Sequence, residues 1–303
     1  MEKIPMFDPR KIKLGIAPIG WCNDDMPDLG AENTFEQTVS EMALAGFQGC
    51  EIGNKYPRDA AVLKHKLDVR GLQVCNAWFS SLLTAGPYED TIEAFIRQRD
   101  FLHALGASVI GVSEQGNSIQ GRQDLAILSR KVSYTEQQWE LIARGFNEMG
   151  ALAREKDMCL AVHHHMGTGV QTGEEIDRLL ALTDPGLVFL LFDTGHLVFA
   201  GEDPLVVLRK HAGRIRHVHL KDIRTDVLRA VQARQMSFLD AVRAGVFTVP
   251  GDGSIDFRPI LAALAAAGYE GWLVVEAEQD PAQANPFEYA CLARRDIKTI
   301  TGL

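Results

Sequence analysis

Eight short apolar runs, each followed by a longer amphipathic stretch, limit what this 303-residue chain can fold into. The runs cover residues 13–19, 49–52, 73–78, 108–112, 159–162, 188–192, 216–220 and 272–275. They are rich in Val, Ile, Leu and aromatics, as strands buried on both faces are. The stretches between them carry apolar residues at helical spacing. Residues 35–45 follow Asn33 and Thr34, either of which can cap a helix, and stop at Gly46. Residues 88–105 stop at Gly106, residues 135–156 are charged on one side, and Thr172 opens another helix. Asp203-Pro204 starts the next with proline in its first turn, and residues 256–267 and 286–300 complete the set.

This repeating order predicts a parallel sheet, and eight units predict an α/β fold closed as one (β/α)8 barrel, a TIM barrel over residues 1–303. A doubly wound open sheet would bring a glycine-rich phosphate turn after its first strand. Here that strand runs into Ala17-Pro18-Ile19-Gly20-Trp21, with no such turn. Residues 222–250 exceed an ordinary βα loop. They are read as an inserted helical segment, with a helix over 228–244, either near the barrel mouth or as a surface insertion without a role.

Composition serves mainly to exclude. With 31 basic and 40 acidic residues the formal charge is −9, and the basic residues are scattered. No stripe of positive charge awaits nucleic-acid phosphates. Nothing approaches the roughly 20 apolar residues of a membrane span. Residues 1–13 have no apolar stretch of the kind a secretory signal needs. The five cysteines are dispersed and form no CxxC, which fits a reducing, cytoplasmic setting.

Ionisable residues stand at the ends of the strands. Glu51 ends the second, Glu114 the fourth, and His163, His164 and His165 the fifth; Asp193 ends the sixth, with His196 beyond. The seventh carries His217 and His219, then Lys221 and Asp222; the eighth leads into Glu276 and Glu278. In a barrel these ends meet at one mouth, where active sites lie. Singly, each is more often a hydrated strand end or a satisfied core residue. As a set, Asp193, His219 and Glu276 offer oxygen and imidazole ligands without cysteine, suiting Mn, Co, Zn or Mg. Period two puts His217 and His219 on one face and His163 and His165 on one face. The inner His217 is read as a buried residue orienting His219. Trp21 and Trp78 are placed to stack on a sugar ring or to plug the barrel. Asn23, Asn54 and Lys55 are candidates for hydrogen bonds to substrate, as is Glu51. Asp24-Asp25 reads first as a turn or helix cap.

Phe192–His196 (Phe-Asp-Thr-Gly-His), His217–Asp222 (His-Val-His-Leu-Lys-Asp) and Leu273–Glu278 (Leu-Val-Val-Glu-Ala-Glu) resemble the xylose-isomerase-like barrels, in order and over nearly the whole chain. Gly15–Trp21, Asn23–Asp25, Glu51–Pro57 and His163–Thr168 resemble the inosose dehydratases within that superfamily, which dehydrate 2-keto-myo-inositol in inositol catabolism. The resemblance implies a metal held by residues on strands five to eight. Asp193, His219 and Glu276 match three of those places. The fifth-strand place, glutamate in the superfamily, holds His163, so either His163 completes the site or Glu114 takes over. Mn or Co is the implied metal, with glutathione as a further cofactor. The substrate would be a cyclic keto-polyol; a homo-oligomer is the base-rate expectation.

Dehydration next to a ketone needs a base for the α-proton, a stabilised enolate and an acid for the departing β-hydroxyl. Glu114, His165, His196 and Glu278 are candidates for base and acid, and Lys221 for holding a hydroxyl or the enolate charge. Three alternatives stay open: a ketose epimerase or isomerase on the same barrel, a metallo-phosphodiesterase like endonuclease IV, and a non-catalytic sugar-binding barrel.

Overall fold

The computed structural model describes residues 5–303, so the first four residues of the charged N-terminal stretch lie outside it. Ten strands run in chain order: β1 (Ile12–Ile16), β2 (Gly49–Ile52), β3 (Gln73–Ser81), β4 (Val109–Glu114), β5 (Cys159–His163), β6 (Val188–Asp193), β7 (Ile215–Leu220), β8 (Asp222–Ile223), β9 (Phe247–Thr248) and β10 (Gly271–Val275). Eight form a closed parallel barrel in the order β1-β10-β7-β6-β5-β4-β3-β2, while β8 and β9 pair separately as an antiparallel ribbon. Most strand residues are buried on both faces, as the continuous apolar runs require.

The barrel floor is filled by side chains. Trp272 enters it beside Cys75 and Val274, and Gly49 makes room: a Cβ there would lie 2.5 Å from the indole ring. Helices pack around the outside and continue the same apolar core. The helix Ala60–Asp68 is an addition to the sequence reading; only Leu63 and Leu67 of its residues are buried, so its apolar stripe is too thin to stand out.

Two irregularities aim functional side chains. The pairing of β2 with β3 shifts between Cys50 and Glu51, which brings Glu51 opposite Asn76. The pairing of β6 with β7 shifts between Leu190 and Leu191, which brings Asp193 opposite His219. Bulges re-aim side chains in this way next to functional sites.

The stretch expected as one helix over 228–244 is two helices, Thr225–Arg234 and Phe238–Arg243. Gln235 breaks the turn in a left-handed conformation (φ 52°), and Ser237 caps the second helix by accepting the Asp240 N–H at 3.1 Å. This insertion has an apolar core of its own. Phe238, Phe247, Val231 and Val242 pack with Met26 and Leu29 from the loop after β1 and with Ile127 from the loop after β4. Three loops from different sides of the mouth therefore form one cap.

Candidate active site

Asp193 ends β6 and opens the short helix Thr194–Phe199. Its Oδ1 accepts the His196 N–H at 2.8 Å, and its Oδ2 is buried without a hydrogen-bond partner. Thr194 accepts from Lys221 N at 3.1 Å and donates to Lys221 O at 2.6 Å, tying the end of β6 to the end of β7. Gly195 leaves space for the lysine stem; a Cβ there would fall 2.5 Å from Lys221 Cγ. Each residue of the Asp-Thr-Gly-His motif thus has a separate geometric task.

The four expected metal ligands converge. One ligand atom from each of His163, Asp193, His219 and Glu276 lies within 4.8 Å of every other. His163 Nε2 and His219 Nδ1 both stand 3.5 Å from Asp193 Oδ2. Asp193 Oδ2, His219 Nδ1 and Glu276 Oε2 are all buried and have no hydrogen-bond partner outside the cluster, where His219 Nδ1 and Glu276 Oε2 lie 2.5 Å apart. Buried polar atoms are seldom left unpaired, and three aimed at one point fit a divalent cation. Two imidazoles and two carboxylates are suitable donors for one.

Glu51 acts behind this cluster. Its Oε1 accepts from His219 Nε2, His217 Nε2 and Asn76 Nδ2, each at 2.9 Å. The proton on His219 Nε2 leaves the Nδ1 lone pair facing Asp193 and Glu276. Glu51 was expected to touch substrate; it reaches the cavity wall, but the oxygen shown in these contacts is committed to orienting imidazoles. Burial disfavours the Glu51 carboxylate, yet the neighbouring imidazoles His219 and His217 outweigh it and hold the group well below the usual range.

Lys221 is fully buried. Its Nζ lies 3.1 Å from Glu276 Oε1, 3.2 Å from Glu278 Oε2 and 3.0 Å from His196 Nε2. Burial alone would lower its pKa, but Glu276, Glu278 and Asp193 overcome that and raise it, so the ammonium is retained. Its Nζ also sits 4.5 Å over the Phe247 ring, a cation–π contact supplied by the cap. Phe238 packs edge-on against His165, with centroids 5.3 Å apart.

A cavity of about 590 Å³ opens in front of these groups. Trp78, His163, His165, His219, Glu276 and Glu278 line its inner part. His165 Nδ1 contacts Met166 O at 2.9 Å; a carbonyl only accepts, so the proton is on Nδ1 and Nε2 carries the lone pair. Burial, then the charges of His163 and Lys221, push His165 well below the ordinary imidazole value. Burial raises Glu278 to about 7 against the pull of Lys221. His196 packs against His165 with ring centroids 3.9 Å apart and planes tilted by 46°, and it does not line the cavity.

Several expectations are corrected. Glu114 stands apart from the four-residue ligand cluster and does not line the cavity. It accepts from Leu83 N at 3.2 Å, Thr84 N at 3.1 Å, Thr84 Oγ1 at 2.9 Å and Gly116 N at 3.0 Å, and also from Ser81 Oγ. Its carboxylate is used up in holding two loops. Lys55 spends its ammonium on the carbonyls of Gly30, Ala31 and Asn33, at 2.9, 2.9 and 2.6 Å. Asn23 caps its own turn by accepting from Asp25 N and Met26 N, both at 2.9 Å. Trp21 is a core residue, donating to Glu41 Oε2 at 2.6 Å. Asn54 and Trp78 do line the cavity. So do Asp25 and Gln120, which sequence reasoning passed over; the Asp24-Asp25 pair was the available signal.

The xylose isomerase-like TIM barrel family matches residues 39–298. An inosose dehydratase of Geobacillus thermodenitrificans is 63% identical over 98% of this chain and 100% of its own length. One from Clostridium tetani is 61% identical over 97% of this chain and 98% of its own. Among solved structures, the IOLI protein with a bound zinc atom superposes with a TM-score of 0.71 at 14% identity, over 96% of this chain and 98% of that one. The probable 3-DHS dehydratase AsbF of Bacillus anthracis gives 0.69 at 15% identity, over 95% and 98%. At such identities the two structures speak for a shared fold.

Proposed function

The chain belongs to the inosose dehydratases of the xylose isomerase-like TIM barrel family, and we propose that His163, Asp193, His219 and Glu276 hold the divalent metal on which its reaction depends. The enzyme is a hydro-lyase that removes water from 2-keto-myo-inositol, giving a trihydroxycyclohexane-dione. The observation that carries the metal assignment is the meeting of three buried ligand atoms with no partner outside the cluster, Asp193 Oδ2, His219 Nδ1 and Glu276 Oε2.

Held by these four residues, a divalent ion would supply Lewis-acid stabilisation for negative charge developing on the substrate. Mn or Co is our choice, and the donor set also accepts Zn. His165 presents an unprotonated Nε2 because Met166 O fixes the proton on Nδ1; it takes the α-proton. Glu278 lines the same cavity with Oε2 resting on Lys221; it delivers the proton to the departing β-hydroxyl. The α C–H and β C–O bonds break, water leaves, and the resulting enol tautomerises to the dione. Lys221 bridges Glu276 and Glu278, offsetting their mutual repulsion, and contacts His196 Nε2 at 3.0 Å. We place the reaction in inositol catabolism in the cytoplasm.

Hydrogen exchange in heavy water separates the two roles. The Glu278→Gln enzyme should still exchange the substrate α-hydrogen while losing water release. The His165→Ala enzyme should lose both. Exchange that depends on Glu278 and survives loss of His165 would reverse the assignment.

A further inference from the structure

Asp25 and Gln120 face each other across the barrel mouth. Asp25 belongs to the loop after β1 and Gln120 to the loop after β4, and both line the cavity. Gln120 Nε2 donates to Asp25 Oδ2 at 2.7 Å. The amide oxygen of Gln120, Oε1, is buried and has no partner. An ordinary surface contact would turn that acceptor to water, since a buried unpaired acceptor is destabilising. The cost is tolerated where the orientation serves a function.

We propose that Asp25 is a substrate-binding carboxylate, aimed by Gln120 at the ring hydroxyls of the cyclic polyol. The inference rests on the dehydratase reading and names the residue that selects its substrate. A carboxylate offers about four acceptor sites and can take the O–H groups of two neighbouring hydroxyls at once. Gln120 occupies one site on Oδ2 and fixes the plane of the group. Among the described residues the carboxylate accepts only from Gln120, so its other acceptor positions are free to meet the ring. Asp25 and Glu278 line the same cavity. A ring bound in this cavity would present hydroxyls to Asp25. A keto-sugar lacking them would fill the same space and leave the carboxylate short of donors, which is how buried polar sites reject analogues.

The test uses metal-loaded enzyme, 2-keto-myo-inositol and its singly deoxygenated analogues. Asp25→Asn and Gln120→Leu should raise KM about 10- to 100-fold with kcat changed far less. Metal content should stay the same in both. For one deoxygenated analogue the wild type and the Asp25→Asn enzyme should have similar KM, identifying the hydroxyl that Asp25 reads. Equal KM for wild type and both variants, or a uniform loss on every analogue, would overturn the proposal. If the wild type itself releases no water, the dehydratase reading fails instead. Calorimetric binding of the non-reacting polyol myo-inositol then decides on Asp25: affinity lost in Asp25→Asn supports its role, and equal or absent binding in both proteins overturns it.

Discussion

Glu51 Oε1 lies 2.9 Å from His219 Nε2, and that bond turns the opposite nitrogen, Nδ1, toward Asp193 and Glu276. Ring orientation at a metal site is commonly set by such an outer acceptor. Glu51→Gln replaces a full negative charge shared by three donors with an amide that must compete for them. Metal Kd should weaken about 10- to 100-fold. Titration of the metal into apo-protein by calorimetry checks this, and an unchanged Kd would remove Glu51 from the site.

Glu276→Gln should cost the metal itself. Glu276 contributes both a buried oxygen to the cluster and a 3.1 Å ion pair to Lys221. The variant should emerge from dialysis with little bound metal and no dehydration, while its circular dichroism remains that of the parent. Full metal content by emission spectroscopy would contradict this.

Glu114→Ala should behave in the opposite way. Removing the carboxylate leaves the donors of Leu83, Thr84 and Gly116 without acceptors. A loss of about 3–5 kcal/mol in unfolding free energy is expected from several orphaned buried groups. Metal stoichiometry should be unaltered. Denaturant titration and metal analysis on the same sample separate the two effects.

The barrel was legible because its strands are buried on both faces and read as unbroken apolar runs. The convergence of His163, Asp193, His219 and Glu276 was legible for a related reason: charge at the end of such a run has nowhere to go but the mouth. Glu114 obeys the same rule and misled, since the sequence does not record that Ser81, Leu83 and Thr84 turn their donors toward it. The role of Glu51 depends on a register shift between Cys50 and Glu51, which no periodicity reveals. Lys55 and Asn23 are polar for the sake of backbone groups in their own loops. The insertion's contribution depends on contacts between loops far apart in the chain, joining Phe247 to Lys221 and Phe238 to His165.

That contribution can be measured. Phe247→Leu keeps the apolar packing of the cap and removes the ring beneath the Lys221 ammonium. A buried cation–π contact is worth up to about 2 kcal/mol, so kcat should fall about 3- to 30-fold. Metal affinity should hold, and Phe247→Tyr should restore most of the rate. A Leu variant with full kcat would show that the cap only shields the site.

Stability should respond to pH through Asp222. Burial pushes its carboxyl up to about 6, against the backbone N–H groups of Ile255, Ile223 and Gly253 that it accepts. Between pH about 4 and about 6 the folded chain holds a proton that the unfolded chain has released. Stability from this group therefore falls as pH rises through that window, by up to about 3 kcal/mol. Urea titrations of wild type and Asp222→Asn across pH 4–7 should converge or diverge along that slope; a constant difference would contradict it.

The proposed function assigns a metal-dependent dehydration to the His163–Asp193–His219–Glu276 cluster. Mass spectrometry of 2-keto-myo-inositol incubated with Mn- or Co-reconstituted enzyme tests it most directly. The prediction is a product lighter by one water, formed by the reconstituted enzyme, abolished by chelation and absent with Glu276→Gln. An isomer of unchanged mass, or water loss that survives both chelation and Glu276→Gln, would contradict it.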